Sequence, residues 1–239
     1  MICRTLQGPG PHDNSKAEKL MDLHSHYPDH FVVGIHDLQT GIELFEALTG
    51  IRAAVGGVHP HVGTCNALLS IGDRTYLEII APDPDADAAR LIPQLKALFT
   101  DPLAGMQTLT PYLWAVGSRN LDATVASLAA RDIHLSNPET GARRKPDGQS
   151  LEWRASFINE PVIEPTPFFI EWLDASIAPP SDAPKGCQLE SFSLAGPKTD
   201  VLQTLTETLD LDIPIRFAPN PSIKITLNTP KGKAQLPLK

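Results

Sequence analysis

The chain has few cysteines, no excess of positive charge and no long apolar run, and each shortage excludes a class of protein. Its 239 residues include 3 cysteines, at positions 3, 65 and 187, without CxxC spacing, which is typical of a reduced cytoplasmic protein and not of a disulfide scaffold. A formal net charge of -8 argues against nucleic acids and anionic membranes as partners, because both require a basic surface. No apolar run approaches the roughly 18 to 20 residues of a membrane-spanning helix. The expected partner is therefore a small molecule or another protein.

Several common cofactor and catalytic motifs are also absent from the sequence. It contains no P-loop, GxGxxG, HExxH or GxSxG pattern, so no nucleotide cofactor is predicted. Residues 1–28 carry charges throughout and have no apolar run of signal-peptide length, and we expect an irregular N-terminal extension there.

Residues 29–82 have the pattern of one structural module. A β-rich segment ends at Gly34, and Asp37 can cap a helix that Gly50 closes. Three further strand-like segments follow, separated by turns rich in Gly and Asp. The order of elements is β-α-β-β-β.

Part of this pattern returns in residues 110–175, after a connector at 83–109 in which residues 88–99 are predicted to be helical. Gly117 matches Gly34 at a separation of 83 residues, and residues 168–173 (FFIEWL) match 75–80 (TYLEII) at a separation of 93. Two such modules are expected to share one core. Residues 187–237 repeat the βαβββ order without any His, and for them we expect a structural role, covering a sheet edge or forming a homodimer contact.

Several of these motifs together resemble the glyoxalase-like domain of the vicinal oxygen chelate superfamily. They are residues 29–30 (DH), 56–60 (GGVHP), 76–78 (YLE) and 167–172 (PFFIEW). The resemblance implies an α+β fold in which paired βαβββ modules form an incomplete barrel around a cavity. It also implies that metal-using members take their ligands from the first and last strands of each module.

Carried over to this sequence, the implied ligand positions are His30, Glu78, Leu113 and Glu171. Leu113 cannot bind a cation, so the set is reduced to His30, Glu78 and Glu171. One imidazole and two carboxylates suit Mn²⁺, Fe²⁺, Ni²⁺ or Zn²⁺. The same residues can be interpreted without metal, with the imidazole acting as an acid, a base or an anchor for a polar ligand.

Four further residues are candidates for the site, each with a plainer alternative. His59, in a glycine-supported loop, could act as a catalytic base beside Glu78 or replace the ligand missing at Leu113, or it could face solvent. Asn66 could orient His59 or bind a substrate carbonyl, or it could stabilise a turn. Arg143 could hold a carboxylate or phosphate of the ligand, and Trp153 could line the pocket. The alternative for Arg143 is a position in a solvated loop, and the alternative for Trp153 is a position in the core.

Two functions remain open at the level of sequence. One is a metal-dependent lyase, isomerase or dioxygenase that acts on a small oxygen-rich molecule. The other is a metal-free protein that binds or sequesters a small molecule, resembling the bleomycin-resistance members of the superfamily.

Overall fold

The computed structural model describes residues 25–144, 148–160, 164–175 and 178–237. The strands of this part of the chain are β1 (His26–Gly34), β2 (Ala54–His59), β3 (Thr64–Ser70), β4 (Tyr76–Pro82), β5 (Thr110–Ser118), β6 (His134–Leu135), β7 (Glu139–Arg144), β8 (Ser150–Ser156), β9 (Ile158–Glu160), β10 (Phe168–Trp172), β11 (Gln188–Gly196), β12 (Ile215–Phe217), β13 (Ser222–Thr229) and β14 (Gly232–Leu236). The longer helices are α1 (Leu38–Thr49), α2 (Leu121–Ala129) and α3 (Thr199–Thr208).

Eight strands form one sheet in the order β2-β3-β4-β1-β5-β10-β8-β7. Within each module the first strand pairs in parallel with the last, β1 with β4 and β5 with β10, and the two first strands pair antiparallel with each other. The edge strands β2 and β7 come into contact, although they are not neighbours in the hydrogen-bonded order. The sheet is thus an incomplete barrel built from two modules, and the predicted α+β fold class is confirmed.

Alternation along the strands separates a core face from a cavity face. In β1, Phe31 and Val33 are fully buried in the large core, whereas His30 and Val32 lie on the opposite face. Helix α1 packs on the core face through Ile42 and Phe45. Burial of each such side chain stabilises the fold by about 1.5 to 3 kcal/mol.

Local sequence signals fix the ends of α1. The Asp37 carboxylate accepts a hydrogen bond from the Thr40 backbone N–H at 2.7 Å, which satisfies one of the free donors of the first turn. The helix ends at Gly50, whose φ of 82° is a left-handed conformation that favours glycine. Both boundaries therefore agree with the sequence prediction.

The third unit has the predicted βαβββ order but a different strand pairing. Its sheet runs β12-β11-β13-β14, so the first strand pairs in parallel with the second and not with the last. The unit lies on the core face of the barrel, where the Phe192 ring is 4.8 Å from Phe31 and 5.5 Å from Trp114. The third unit therefore covers a face of the barrel sheet, whereas the sequence analysis expected it to cover an edge. Its other expected role, a homodimer contact, stays a prediction.

The helical part of the connector lies further along the chain than expected, at residues 93–105 instead of 88–99. It begins at Pro93 and passes through a short α-turn (Pro93–Leu95), a π-helical turn (Lys96–Thr100) and a 3-10 turn (Asp101–Gly105). Proline favours the first turn of a helix, which explains the late start. Leu103 from this segment packs against Val32 and Ile80. In the described part of the chain, no helix combines the length and the apolar character needed to cross a membrane.

Candidate functional site

A cavity of about 190 Å³ lies on the concave face of the barrel, between the two modules. Module one contributes most of its polar lining: His30, His59, Thr64, Asn66, Tyr76 and Glu78. Module two contributes a mostly aromatic and aliphatic wall: Tyr112, Leu113, Trp153, Phe157, Phe168, Ile170 and Trp172. The cavity therefore has one polar side and one largely apolar side.

His30 is held in a fixed orientation by a buried carboxylate. Its Nδ1 lies 2.7 Å from Asp29 Oδ1, and Trp172 Nε1 donates to Asp29 Oδ2 at 2.9 Å. The imidazole stacks on Tyr76 at 4.5 Å and meets the edge of Phe168 at 5.2 Å. Because a carboxylate only accepts hydrogen bonds, the Nδ1 proton points to Asp29 and Nε2 is left facing Glu78.

A β-bulge brings Asp29 and His30 together. Neighbouring side chains of a regular strand point to opposite faces, yet the pairing of β1 with β5 shifts between Pro28 and His30. A bulge of this kind redirects a side chain beside a functional site. The sequence carries no local signal for it, and for this reason the role of Asp29 was missed.

Glu78 is the buried carboxylate on the polar side. Its Oε2 lies 3.7 Å from His30 Nε2, beyond hydrogen-bonding distance, and its Oε1 accepts a hydrogen bond from Asn66 Nδ2 at 2.6 Å. Only 7% of Glu78 is exposed. Asn66 thus orients Glu78, a role that was not among the three considered from the sequence, which were to orient His59, to bind a substrate carbonyl or to stabilise a turn.

The Asn66 amide itself sits against a glycine. Its Oδ1 is buried and has no hydrogen-bond partner in the described part of the chain. A Cβ atom on Gly56 would lie 2.4 Å from that oxygen, far closer than any real contact. Gly56 is therefore required for the present position of Asn66, and through Asn66 for that of Glu78.

His59 lies at the end of β2 and lines the cavity from a second direction. Its Nδ1 is 2.9 Å from the hydroxyl oxygen of Thr64, the residue paired with it on β3. This contact orients the ring. The structure thus places His59 at the cavity, and its role as a base stays a prediction.

The strand pairing revises the alignment of the two modules. His30 pairs with Ala115 and Val32 with Leu113, which is the symmetric arrangement expected when Leu113 corresponds to His30. In the parallel pairs, Val32 lies opposite Glu78, and Ala115 lies opposite Phe168. The position equivalent to Glu78 is therefore Phe168, three residues before the one that the sequence match suggested.

Glu171 consequently points away from the cavity. A shift by an odd number of residues moves a strand side chain to the other face, and Phe168, Ile170 and Trp172 are the β10 residues that line the cavity. Glu171 instead accepts a hydrogen bond from Arg154 at 3.1 Å. Arg154 also binds Asp122 at 2.8 Å and lowers the pKa of that carboxyl group through this hydrogen bond.

The donor set does not fit a divalent cation held by His30, Glu78 and Glu171. His30 and Glu78 converge, whereas Glu171 does not join them. In the part of the chain that the structure describes, no group of three or more His, Cys, Asp or Glu side chains is placed to hold an ion. Protein sites for transition metals normally use three or four such ligands. Leu113 and Phe168 occupy the remaining two positions.

The other predicted binding residues have different outcomes. Trp153 lines the cavity, with its ring 5.8 Å from that of Trp172. Arg143 belongs to strand β7, and its side chain lies outside the described part of the chain.

Tyr112 was not predicted, and it reaches the cavity beside Leu113 because a second bulge shifts the pairing there. Burial, with a smaller contribution from the charge of Glu164, raises the pKa of Tyr112 to about 12.

Comparison with known proteins identifies relatives at the level of family and fold. Residues 29–209 match the model of a family described as glyoxalase-like domain. No curated protein sequence matches the chain. A hypothetical protein from Staphylococcus aureus has 16% identity and a TM-score of 0.59, over 88% of this chain and 85% of the other. Its structure supports the fold alone.

Two epimerases share less of the structure. A methylmalonyl-CoA epimerase from Streptomyces coelicolor has 18% identity and a TM-score of 0.40, over 62% of this chain and 97% of the other. The enzyme of the same name from Mycobacterium tuberculosis has 19% identity and a TM-score of 0.40, over 61% and 85%. Their similarity is too low to assign an activity.

Proposed function

Because the chain belongs to the glyoxalase-like domain family of the vicinal oxygen chelate superfamily, we propose that it binds a small organic molecule in its barrel cavity without a resident metal ion. The ligand places a polar group between His30 and Glu78 and an apolar body against module two. The observation that carries this proposal is the buried His30–Glu78 pair, 3.7 Å apart, opposite an aromatic wall.

The size of the cavity limits the ligand. Sites for drug-sized molecules usually measure about 300 to 1,000 Å³, whereas this cavity measures about 190 Å³. An engineered cavity of about 150 Å³ accepts benzene. The expected ligand therefore has roughly one ring or a short branched chain, together with one polar group.

Blocking the cavity tests this proposal. Val32→Phe adds a ring within the lining, whereas Val55→Phe makes the same change on an exposed position of edge strand β2. A panel of small polar aromatic and aliphatic compounds is screened by thermal shift and by the fluorescence of Trp153 and Trp172. Compounds that bind the native protein should lose at least tenfold in affinity in V32F and keep it in V55F. Equal binding to both variants would place the ligand outside the barrel.

A proton-transfer enzyme is the second candidate, and the Asp29–His30 contact of 2.7 Å favours it. A carboxylate that fixes one ring nitrogen leaves the other to take a proton from a bound substrate. Many lyase and isomerase reactions include such a step. In this case His30 is the base, and Glu78 lies close enough to take part in the transfer.

Metal-dependent chemistry is tested separately by the metal content of the native protein. Stoichiometric transition metal that disappears in both His30→Ala and Glu78→Gln would support the metal-dependent lyase, isomerase or dioxygenase and contradict our proposal. Glu171→Gln is the matched control, because this residue has the same charge and points to the other face of the sheet. Its metal content should equal that of the native protein in either case.

A further inference from the structure

We infer that the ligand of the cavity is an organic cation, a primary or secondary ammonium attached to an apolar body. The inference rests on the proposed function and specifies its ligand class. The ammonium lies between His30 Nε2 and Glu78 Oε2, and the body contacts the wall formed by module two.

At the polar side of the cavity, two atoms, His30 Nε2 and Glu78 Oε2, have no hydrogen-bond donor among the residues that the structure describes. The Nδ1 atom of His30 is bonded to Asp29, so Nε2 of the neutral ring is the nitrogen that can accept a hydrogen bond. Glu78 Oε1 is already bonded to Asn66, while Oε2 lies 3.7 Å from Nε2. One nitrogen placed about 2.8 Å from each atom can donate to both. An ammonium group supplies two such donors from a single atom.

The charge of the polar side also selects a cation. Asp29 and Glu78 are both carboxylates, exposed to only 2% and 7%. Within the described residues, the cavity lining includes no Lys or Arg. Arg154 is bound to Asp122 and Glu171 on the other face of the sheet. A buried carboxylate is costly without a partner of opposite charge, and an anionic ligand would add to this cost.

The walls next to the pair suit the same kind of group. Tyr76, Trp153 and Trp172 line the cavity, and aromatic faces attract ammonium groups. A small inorganic cation would leave this apolar surface uncovered, whereas an arylalkyl ammonium would fill it. With about 190 Å³ available, a single ring on a two-carbon chain is a suitable body.

Three isosteric probes test the inference: 2-phenylethylammonium, 2-phenylethanol and phenylacetate. Each is titrated by isothermal calorimetry at pH 7.5 against the native protein, Glu78→Gln and the matched control Glu171→Gln. Thermal unfolding establishes that each variant is folded. A hydrogen bond to a buried charge predicts that the cation binds roughly ten- to a hundredfold more tightly than the alcohol, and that phenylacetate binds most weakly. Glu78→Gln should abolish the preference, and Glu171→Gln should retain it.

Other outcomes overturn the inference in distinguishable ways. If 2-phenylethanol or phenylacetate binds as tightly as the cation, the ligand class is wrong, while the proposed binding function stands. If Glu78→Gln binds the cation as well as the native protein does, the ammonium does not meet Glu78 and the inference fails. If none of the probes binds at millimolar concentration and the V32F screen also finds no ligand, both proposals fail.

Discussion

The two halves of the barrel share one fold and differ in what they present to the cavity. Module one places His30 and Glu78 where module two places Leu113 and Phe168, as the paired registers of the first and last strands show. Both modules bury the same kind of apolar face against the core. The difference teaches that the core face of each strand maintains the fold, whereas the cavity face is free to change its chemistry.

The asymmetry also changes what kind of site the barrel can form. Four polar ligands around the symmetry axis would suit a metal ion, whereas a polar pair facing an aromatic wall suits an amphipathic organic molecule. In this protein, module one supplies the recognition of polar groups and module two supplies the surface for an apolar body. The following predictions test the register, the asymmetry and their consequences, in order of decreasing effect.

The largest effect should distinguish two neighbouring phenylalanines of module two. Phe169 is fully buried in the core, whereas Phe168 lines the cavity. Phe169→Ala should lower the free energy of unfolding by about 3 to 5 kcal/mol, and Phe168→Ala by less than half of that. Urea unfolding followed by circular dichroism measures both values. A larger loss at Phe168 would mean that the register of β10, and with it the comparison of the modules, is wrong.

Restoring polar residues to module two should create the symmetric site. The double variant Leu113→His with Phe168→Glu would supply the ligands that the aligned positions lack, and we expect it to bind Zn²⁺. At a zinc concentration of about 100 times the Kd, binding stabilises the fold by about 2.7 kcal/mol, measured as a thermal shift.

The control for that experiment compares Leu113→His with Leu113→His combined with Glu171→Gln. If Glu171 and not Phe168 were the counterpart of Glu78, removal of the Glu171 carboxylate would lower the zinc affinity of the Leu113→His variant. We expect the two variants to bind zinc equally, because Glu171 points to the other face of the sheet.

A smaller effect is expected at the glycine that supports the polar side. Gly56→Ala places a Cβ atom 2.4 Å from Asn66 Oδ1, so the amide must move and Glu78 loses its hydrogen-bond donor. Such overpacking should cost about 1 to 3 kcal/mol and weaken ligand binding as well. Gly105→Ala is the control, because its Cβ atom would meet nothing within 4 Å. Equal stability of the two variants would show that Asn66 has room to adapt.

The smallest effect concerns Tyr112, a polar group on the apolar side. Its pKa of about 12 exceeds the ordinary value near 10, since burial favours the neutral phenol. The associated stability is therefore complete below pH 10 and is lost as the pH rises towards 12. An absorbance titration of the native protein against Tyr112→Phe isolates this group. A difference spectrum with a midpoint near 10 would show that the phenol is not buried.

The sequence predicted best the features that depend on neighbouring residues. Asp37 and Gly50 mark the ends of α1 because capping is local. Within β4, Glu78 shares one face with Tyr76 and Ile80 because side chains of a strand alternate. These side chains all line the cavity. The module order follows from such local signals, whereas the fold class was implied by the family resemblance.

Features that depend on distant pairing were not accessible from one sequence. The position equivalent to Glu78 was misplaced by three residues because the register of β10 depends on its hydrogen bonds to β5 and β8. The Asp29–His30 contact requires a bulge that exists only in the paired strands. The pairing of β11 with β12 likewise depends on tertiary contacts that periodicity does not reveal.

The position of the third unit has a consequence for the way the protein is made. Phe192 packs on Phe31 and Trp114, so the core behind both modules is incomplete until the end of the chain is present. The stretch from Trp172, where the last barrel strand ends, to Leu236, where the last strand of the third unit ends, takes a ribosome about 3 to 13 s to synthesise at typical rates. During that interval the nascent barrel exposes an apolar surface, and chaperones have time to bind it before the third unit covers it.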